Sequence, residues 1–194
     1  VPVKDRGFWY YSRTIEGKDY ALFCRKKGTL DAPEEILLDG NALAKGEKFF
    51  AFGPQRVSDD GHFLAFSTDT TGFREYTLSV KDLRTGKIIE DKFVKAPMFE
   101  WAADNRTLFY ATEDEAKRAH KVWRHVVGQP KEKDKELYEE KDELFWLEMS
   151  RSRDGKYVFH TSASFTSTEQ RFLPADKPEG DWKTLLKREA DHEY

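Results

Sequence analysis

The stretch from Pro54 to Ile89, PQRVSDDGHFLAFSTDTTGFREYTLSVKDLRTGKII, constrains the fold more than any other part of the chain. Turn signals at Asp60-Gly61, Thr71-Gly72 and Thr85-Gly86 cut it into four short strand-like runs. One run ends at Val57, and a second, His62 to Thr68, is apolar on both faces. In the third, Glu75 to Leu83, Tyr76, Leu78 and Val80 alternate with Thr77, Ser79 and Lys81, and Ile88 and Ile89 open the fourth. Asp-Gly and Thr-Gly between such runs mark β-hairpins, because glycine takes the positive-φ positions that tight turns demand. The stretch reads as a four-stranded antiparallel meander.

The pattern recurs. Phe99 and Trp101 precede Ala103-Asp104-Asn105, and TLFYAT (Thr107 to Thr112) follows; Phe145 to Ser150 precede Arg153-Asp154-Gly155, and YVFHTS (Tyr157 to Ser162) follows. Aligned on Asp60, Asn105 and Asp154, the units stand 45 and 49 residues apart. Strand-built repeats of that length point to the radial blades of a β-propeller, whereas a helical solenoid would show a 3.6-residue period that is missing here. The fold class is therefore all-β: one partial β-propeller domain over residues 1–194, with blade-like units at about 1–44, 47–92, 97–142 and 145–189, and 190–194 starting a further blade.

Taken in order, Gly7 to Arg13 looks like the second strand of a blade whose first strand is missing or supplied elsewhere. Tyr20 to Arg25 and Glu35 to Leu38 complete three strands, and Asn41 to Gly46 reads as a short helical turn leading to the next blade. Arg118 to Val127 is a long strand, Lys131 to Lys135 (KEKDK) a solvated charged loop, and Leu137-Tyr138 a brief strand. The last blade ends at Trp182 to Leu186. Uncovered blade faces and edges predict self-association. Because Val1 is not methionine, the chain is expected to begin inside a longer polypeptide.

Charged residues make up 36 % of the chain, yet the net charge is only −3 with no basic patch, so nucleic acid is not an expected partner. The single cysteine, Cys24, has no internal disulfide partner, which fits a reducing compartment. No signal peptide or membrane-length apolar run is evident, and a soluble, cytoplasmic protein is expected.

The residues that could carry chemistry do not converge. None of the twelve glycines stand four apart, so the G-x-S-x-G elbow of an α/β-hydrolase is absent. Of the five histidines, His62, His120, His125, His160 and His192, His120 and His125 stand five apart on a strand and face opposite ways, and His62 and His160 are not at equivalent places in the repeat. Cys24 reads as a small core residue. Glu34-Glu35 and Glu139-Glu140 are adjacent pairs that a strand splits between its two faces, unlike catalytic carboxylates that meet across a substrate. In Ser67 to Thr71, the hydroxyls and Asp69 are expected to satisfy backbone groups of a loop. No catalytic, cofactor-binding or metal-binding residue is assigned, and no cofactor is expected.

Four strings carry a family likeness: GFWYYSRTIEGKDYALFCR (Gly7 to Arg25), DAPEEILLDGN (Asp31 to Asn41), STDTTGFREYTL (Ser67 to Leu78) and VKDLRT (Val80 to Thr85). They resemble the N-terminal propeller of the prolyl oligopeptidase family, in its oligopeptidase B branch. The resemblance implies part of a seven-bladed propeller, set as a lid over an α/β-hydrolase domain that carries Ser, Asp and His and cleaves short peptides after Lys or Arg. The propeller would do no bond chemistry; it would restrict access to short peptides and gate the site through interdomain motion. Its expected partners are that hydrolase domain of the same parent chain and the peptides themselves. No hydrolase domain lies within the 194 residues, so no triad residue is carried over and the chain alone is expected to be inactive. The alternative is a propeller interaction module with no enzymatic role, since one fold hosts many functions. A ligand-binding propeller enzyme is disfavoured, because no His/Asp set repeats at equivalent places.

Overall fold

A computed structural model of the chain describes residues 1–192, the side chains of residues 90 and 91 aside. Sixteen strands form four antiparallel sheets, each a meander of four consecutive strands. The first holds β1 (Val3–Asp5), β2 (Phe8–Arg13), β3 (Leu22–Lys27) and β4 (Glu34–Asp39). The second holds β5 (Ala51–Val57), β6 (Phe63–Asp69), β7 (Thr77–Asp82) and β8 (Ile88–Phe93). The third holds β9 (Met98–Trp101), β10 (Thr107–Glu113), β11 (Ala119–Val126) and β12 (Lys135–Glu139). The fourth holds β13 (Trp146–Arg151), β14 (Tyr157–Ala163), β15 (Thr168–Pro174) and β16 (Lys183–Leu186). A four-residue helix, α1 (Gly40–Leu43), is capped by the Asp39 carboxylate, which accepts from the Asn41 and Ala42 amides.

The sheets stack face to face, because both faces of the second and third are apolar. Leu64 and Phe66 of β6 pack on Leu37, Leu38 and Phe23 of the first sheet. The other face of β6, with Ala65, meets Phe99, Trp101, Leu108 and Tyr110 of the third sheet. Phe109 then turns the opposite way, onto Val158 and Leu173 of the fourth. Burying each such side chain is worth roughly 1.5–3 kcal/mol, which makes these three seams the main cohesive force.

Three details depart from the sequence expectations. The first sheet does have its own inner strand: β1 pairs with β2 through Arg6-Gly7, whose φ values of 42° and 82° make a two-residue hairpin turn. VKD escapes notice because it is three residues long and fully exposed. The repeat also aligns one residue differently. The Gly61, Asn105 and Gly155 amides donate to the carbonyls of Ser58, Ala102 and Ser152, and all three residues have positive φ. Asn105 is thus the counterpart of the glycines, and Asp104 that of Asp60 and Asp154; asparagine reaches the left-handed region at low cost and stands in for glycine. Lastly, KEKDK is not wholly a solvated loop. Lys131–Lys133 form an exposed 3₁₀ turn, but the Asp134 side chain is 5 % exposed. The expected further blade at 190–194 extends past the described residues; Asp191 and His192 hydrogen-bond back to Ser167 and Thr168.

Candidate functional site

The groups singled out in the sequence are dispersed, each with a structural occupation. His62 lies against Asp60 at 3.0 Å. His125 is buried, with Nδ1 at 2.6 Å from Asp134, whose other oxygen accepts from the Tyr110 hydroxyl at 2.8 Å. Burial and the Asp134 carboxylate push the Tyr110 phenol far above its ordinary range. His120 of the same strand sits in a bulge between Ala119 and Lys121, where strand alternation is broken, and its Nδ1 is buried without a hydrogen-bond partner. His160 is 1 % exposed, packed between Tyr138 and Trp182, and neither ring nitrogen has a hydrogen-bond partner. Burial, assisted by Arg171, lowers its pKa to about 3, so it is neutral.

The paired glutamates diverge as expected. Glu34 binds Arg13 and the Tyr11 hydroxyl, while Glu35 binds Arg25. Hydrogen bonds from Arg13 and Tyr11 hold the Glu34 pKa at about 2. Glu139 reaches Lys121, and Glu140, buried, is bound by Arg188 and Tyr138. Asp69 accepts from the Thr71, Gly72 and Arg74 amides and the Thr71 hydroxyl, the loop role anticipated for it. Ser67 differs: its buried hydroxyl has no partner. Cys24 is fully buried.

What the fold does bring together lies at the centre. The first strands of all four sheets line one cavity of about 780 Å³, with Asp5, Gln55, Arg56, Glu100 and Arg151 on its wall. Glu100 is almost buried there and accepts from the Arg56 Nε at 3.1 Å; burial raises its pKa, and Arg56 opposes the shift. Asp59 stands beside the cavity in the β5–β6 turn. Unlike Asp60, which accepts from Ser58 and His62 of its own turn, Asp59 serves other sheets. Arg151 of the fourth sheet grips it with two 2.7 Å bonds, and the Arg6 Nε of the first lies 3.2 Å away. The sequence carries no signal for this cluster, because Asp59 and Arg151 alone stand 92 residues apart.

The strand order gives the disc two unlike ends. Connections from first to second and from third to fourth strands share one end, here the turn face; second-to-third and sheet-to-sheet connections share the other, the loop face. On the loop face Ile15, Phe49, Phe73, Val94, Leu144 and Phe165 are exposed, Phe165 at 89 % and Leu144 at 74 %. Leu144, Trp146 and Phe165 border a cleft of about 590 Å³ there. Among the described turn-face connections, Leu30 is the exposed large apolar side chain.

Four meander sheets ranged around a shared cavity, with one apolar end, define a segment of a β-propeller that frames a passage. The chain belongs to the prolyl oligopeptidase family: the family model for the N-terminal β-propeller domain of prolyl oligopeptidase matches residues 1–194. It is 38 % identical to dipeptidyl aminopeptidase BI of Pseudoxanthomonas mexicana, over all of this chain and 29 % of that protein. It is 36 % identical to protease 2 of Moraxella lacunata, over 92 % of this chain and 27 % of that one. Among solved structures, oligopeptidase B from Leishmania major superposes with a TM-score of 0.90 at 31 % identity, covering 98 % of this chain and 28 % of that one. The chain thus spans less than a third of the length of these relatives.

Proposed function

We propose that this chain is the propeller portion of an oligopeptidase B-like serine peptidase that cleaves short peptides after Lys or Arg. In this reading the propeller sits over an α/β-hydrolase domain of the same polypeptide, does no bond chemistry, and limits access to peptides small enough to pass. The observation that carries it is the one-sided distribution of exposed apolar side chains. Phe49, Phe73, Val94, Leu144 and Phe165 all stand exposed on loop-face connections, and large apolar side chains gathered at one end of a molecule suit a site of association. Meander topology places the start of each first strand and the end of each last strand on that same face, so flanking polypeptide joins the propeller where the apolar residues are.

The test is hydrolysis by the full-length polypeptide of chromogenic peptides ending in Arg, Lys, Pro or Ala, in a short and a protein-length series. Cleavage after Arg and Lys, confined to the short series and abolished by a serine-directed inhibitor, is expected. Preference for Pro or Ala, or equal cleavage of folded proteins, would overturn the specificity or the access role respectively.

A further inference from the structure

The Asp59 cluster has three features that together make it more than a surface ion pair. It skips a sheet: Asp59 belongs to the second, Arg151 to the fourth and Arg6 to the first, so the bonds run as a chord across the ring. It also stands between two spaces. Arg6 and Arg151 line the 780 Å³ central cavity, while Asp59 and Arg151 line a cleft of about 380 Å³ on the turn face, beside Ala103, Tyr157 and Asp176. Finally, each arginine keeps a partner if Asp59 lets go. Arg151 donates Nε and Nη2 to the Gly155 carbonyl, and Arg6 pairs with Asp5 at 2.9 Å. Arg6 is delivered to this spot by its left-handed backbone, φ 42°, in the β1–β2 turn. A non-glycine residue held there is a strained choice that surrounding contacts must maintain.

We propose that Arg6, Asp59 and Arg151 form an ionic clasp that shuts the central cavity at the turn face, and that it opens to join cavity and cleft when the Asp59 contacts break. Two states are available because opening orphans neither arginine. The energies suit a switch: the Arg6–Asp59 contact, with side chains 38 % and 23 % exposed, is weak and screened by salt, whereas the bidentate Arg151–Asp59 pair, 11 % and 23 % exposed, is screened less and holds the clasp shut. The clasp deepens the access-limiting reading, as a door at the end remote from the apolar face. It is tested without any peptidase assay, so the two can fail separately.

Gln55 lines the central cavity and provides the reporter. In the full-length polypeptide carrying Gln55→Cys, the rate of labelling by N-ethylmaleimide, an uncharged probe, is measured against the same protein without that substitution. At low ionic strength Asp59→Asn is expected to raise the rate roughly five- to tenfold. Molar NaCl should raise the rate of the intact clasp part of the way to that of Asp59→Asn while leaving Asp59→Asn itself unchanged. Equal rates at both salt concentrations would overturn the proposal. So would an Asp59→Asn increase accompanied by no response to salt in the intact protein, since Asp59 would then act by packing. Cys24, fully buried, reports unfolding. If Asp59→Asn makes it reactive, Arg6→Gln, which removes one arm, takes its place; an intermediate rate supports the clasp and an unchanged rate refutes it.

Discussion

The two ends of the disc are finished differently. On the turn face, polar groups are satisfied from within. Asp60 accepts from Ser58 and His62, Asp104 from Arg106 and Thr107, and Asp154 from Ser152 and Lys156. Neighbouring turns are also stitched together: the Asn105 side chain accepts from the Asp60 amide, and Arg25 donates to the Gly61 carbonyl. On the loop face the backbone is equally well served, as the Asp69 loop shows, but phenylalanines and leucines stay largely exposed, with Lys117 over Phe73 and Trp146 edge-on to Phe165. The difference teaches that turn-face side chains hold the blades to one another, whereas the exposed loop-face side chains contribute little to the chain itself and are suited to a partner.

The largest effect that should separate the two ends is at Asp134. Its carboxylate is shared by His125 and the Tyr110 hydroxyl inside the third sheet, on a turn-face connection. Asp134→Ala removes the acceptor of the buried Tyr110 hydroxyl and one contact of His125, and is expected to cost about 3 kcal/mol in urea unfolding. A loss below about 1 kcal/mol would show that this end is not internally locked.

Next in size is a pH effect at His160, in the seam between the third and fourth sheets. Its folded pKa of about 3 lies below the ordinary histidine value, so the unfolded chain takes up the proton first. Its contribution is fully present above about pH 6.5 and is lost as pH falls from there towards 3. Phe66 and Tyr110 hold the equivalent place in the two preceding sheets, so His160→Phe should flatten the acid limb of the stability curve between those values. An unchanged limb would mean that other groups dominate it.

Smaller still is removal of a turn acceptor. Asp60→Ala or Asp104→Ala is expected to cost about 1 kcal/mol, read as a shifted urea midpoint at constant slope. The smallest effect belongs to the loop face. Phe73→Ser and Phe165→Ser should change the stability of the isolated chain by less than about 0.5 kcal/mol, yet loosen the full-length protein, seen as faster proteolysis between its domains. Equal effects in both settings would erase the contrast between the two ends.

Much of the architecture was legible because turn chemistry and alternation are local. Gly61, Gly72 and Gly86 do take positive φ, and Leu78 and Val80 are buried as their alternation implies. What escaped had identifiable causes. Alignment by letter set Asn105 opposite Asp60, whereas the backbone equates it with Gly61, since conformation and not residue identity defines the turn. Asp134 hid inside a charged run because burial of one carboxylate depends on Tyr110, a residue of another strand. The Asp59 clasp is a property of ring geometry, which no short window of sequence contains.

The most direct measurement of the central claim is amide hydrogen exchange, comparing the 194-residue chain with the full-length polypeptide that contains it. The account predicts added protection in the full-length protein at loop-face segments 70–76, 94–97 and 164–167, with turn-face segments 58–62 and 102–106 exchanging as before. Added protection confined to the turn face, or spread evenly over both, would contradict it.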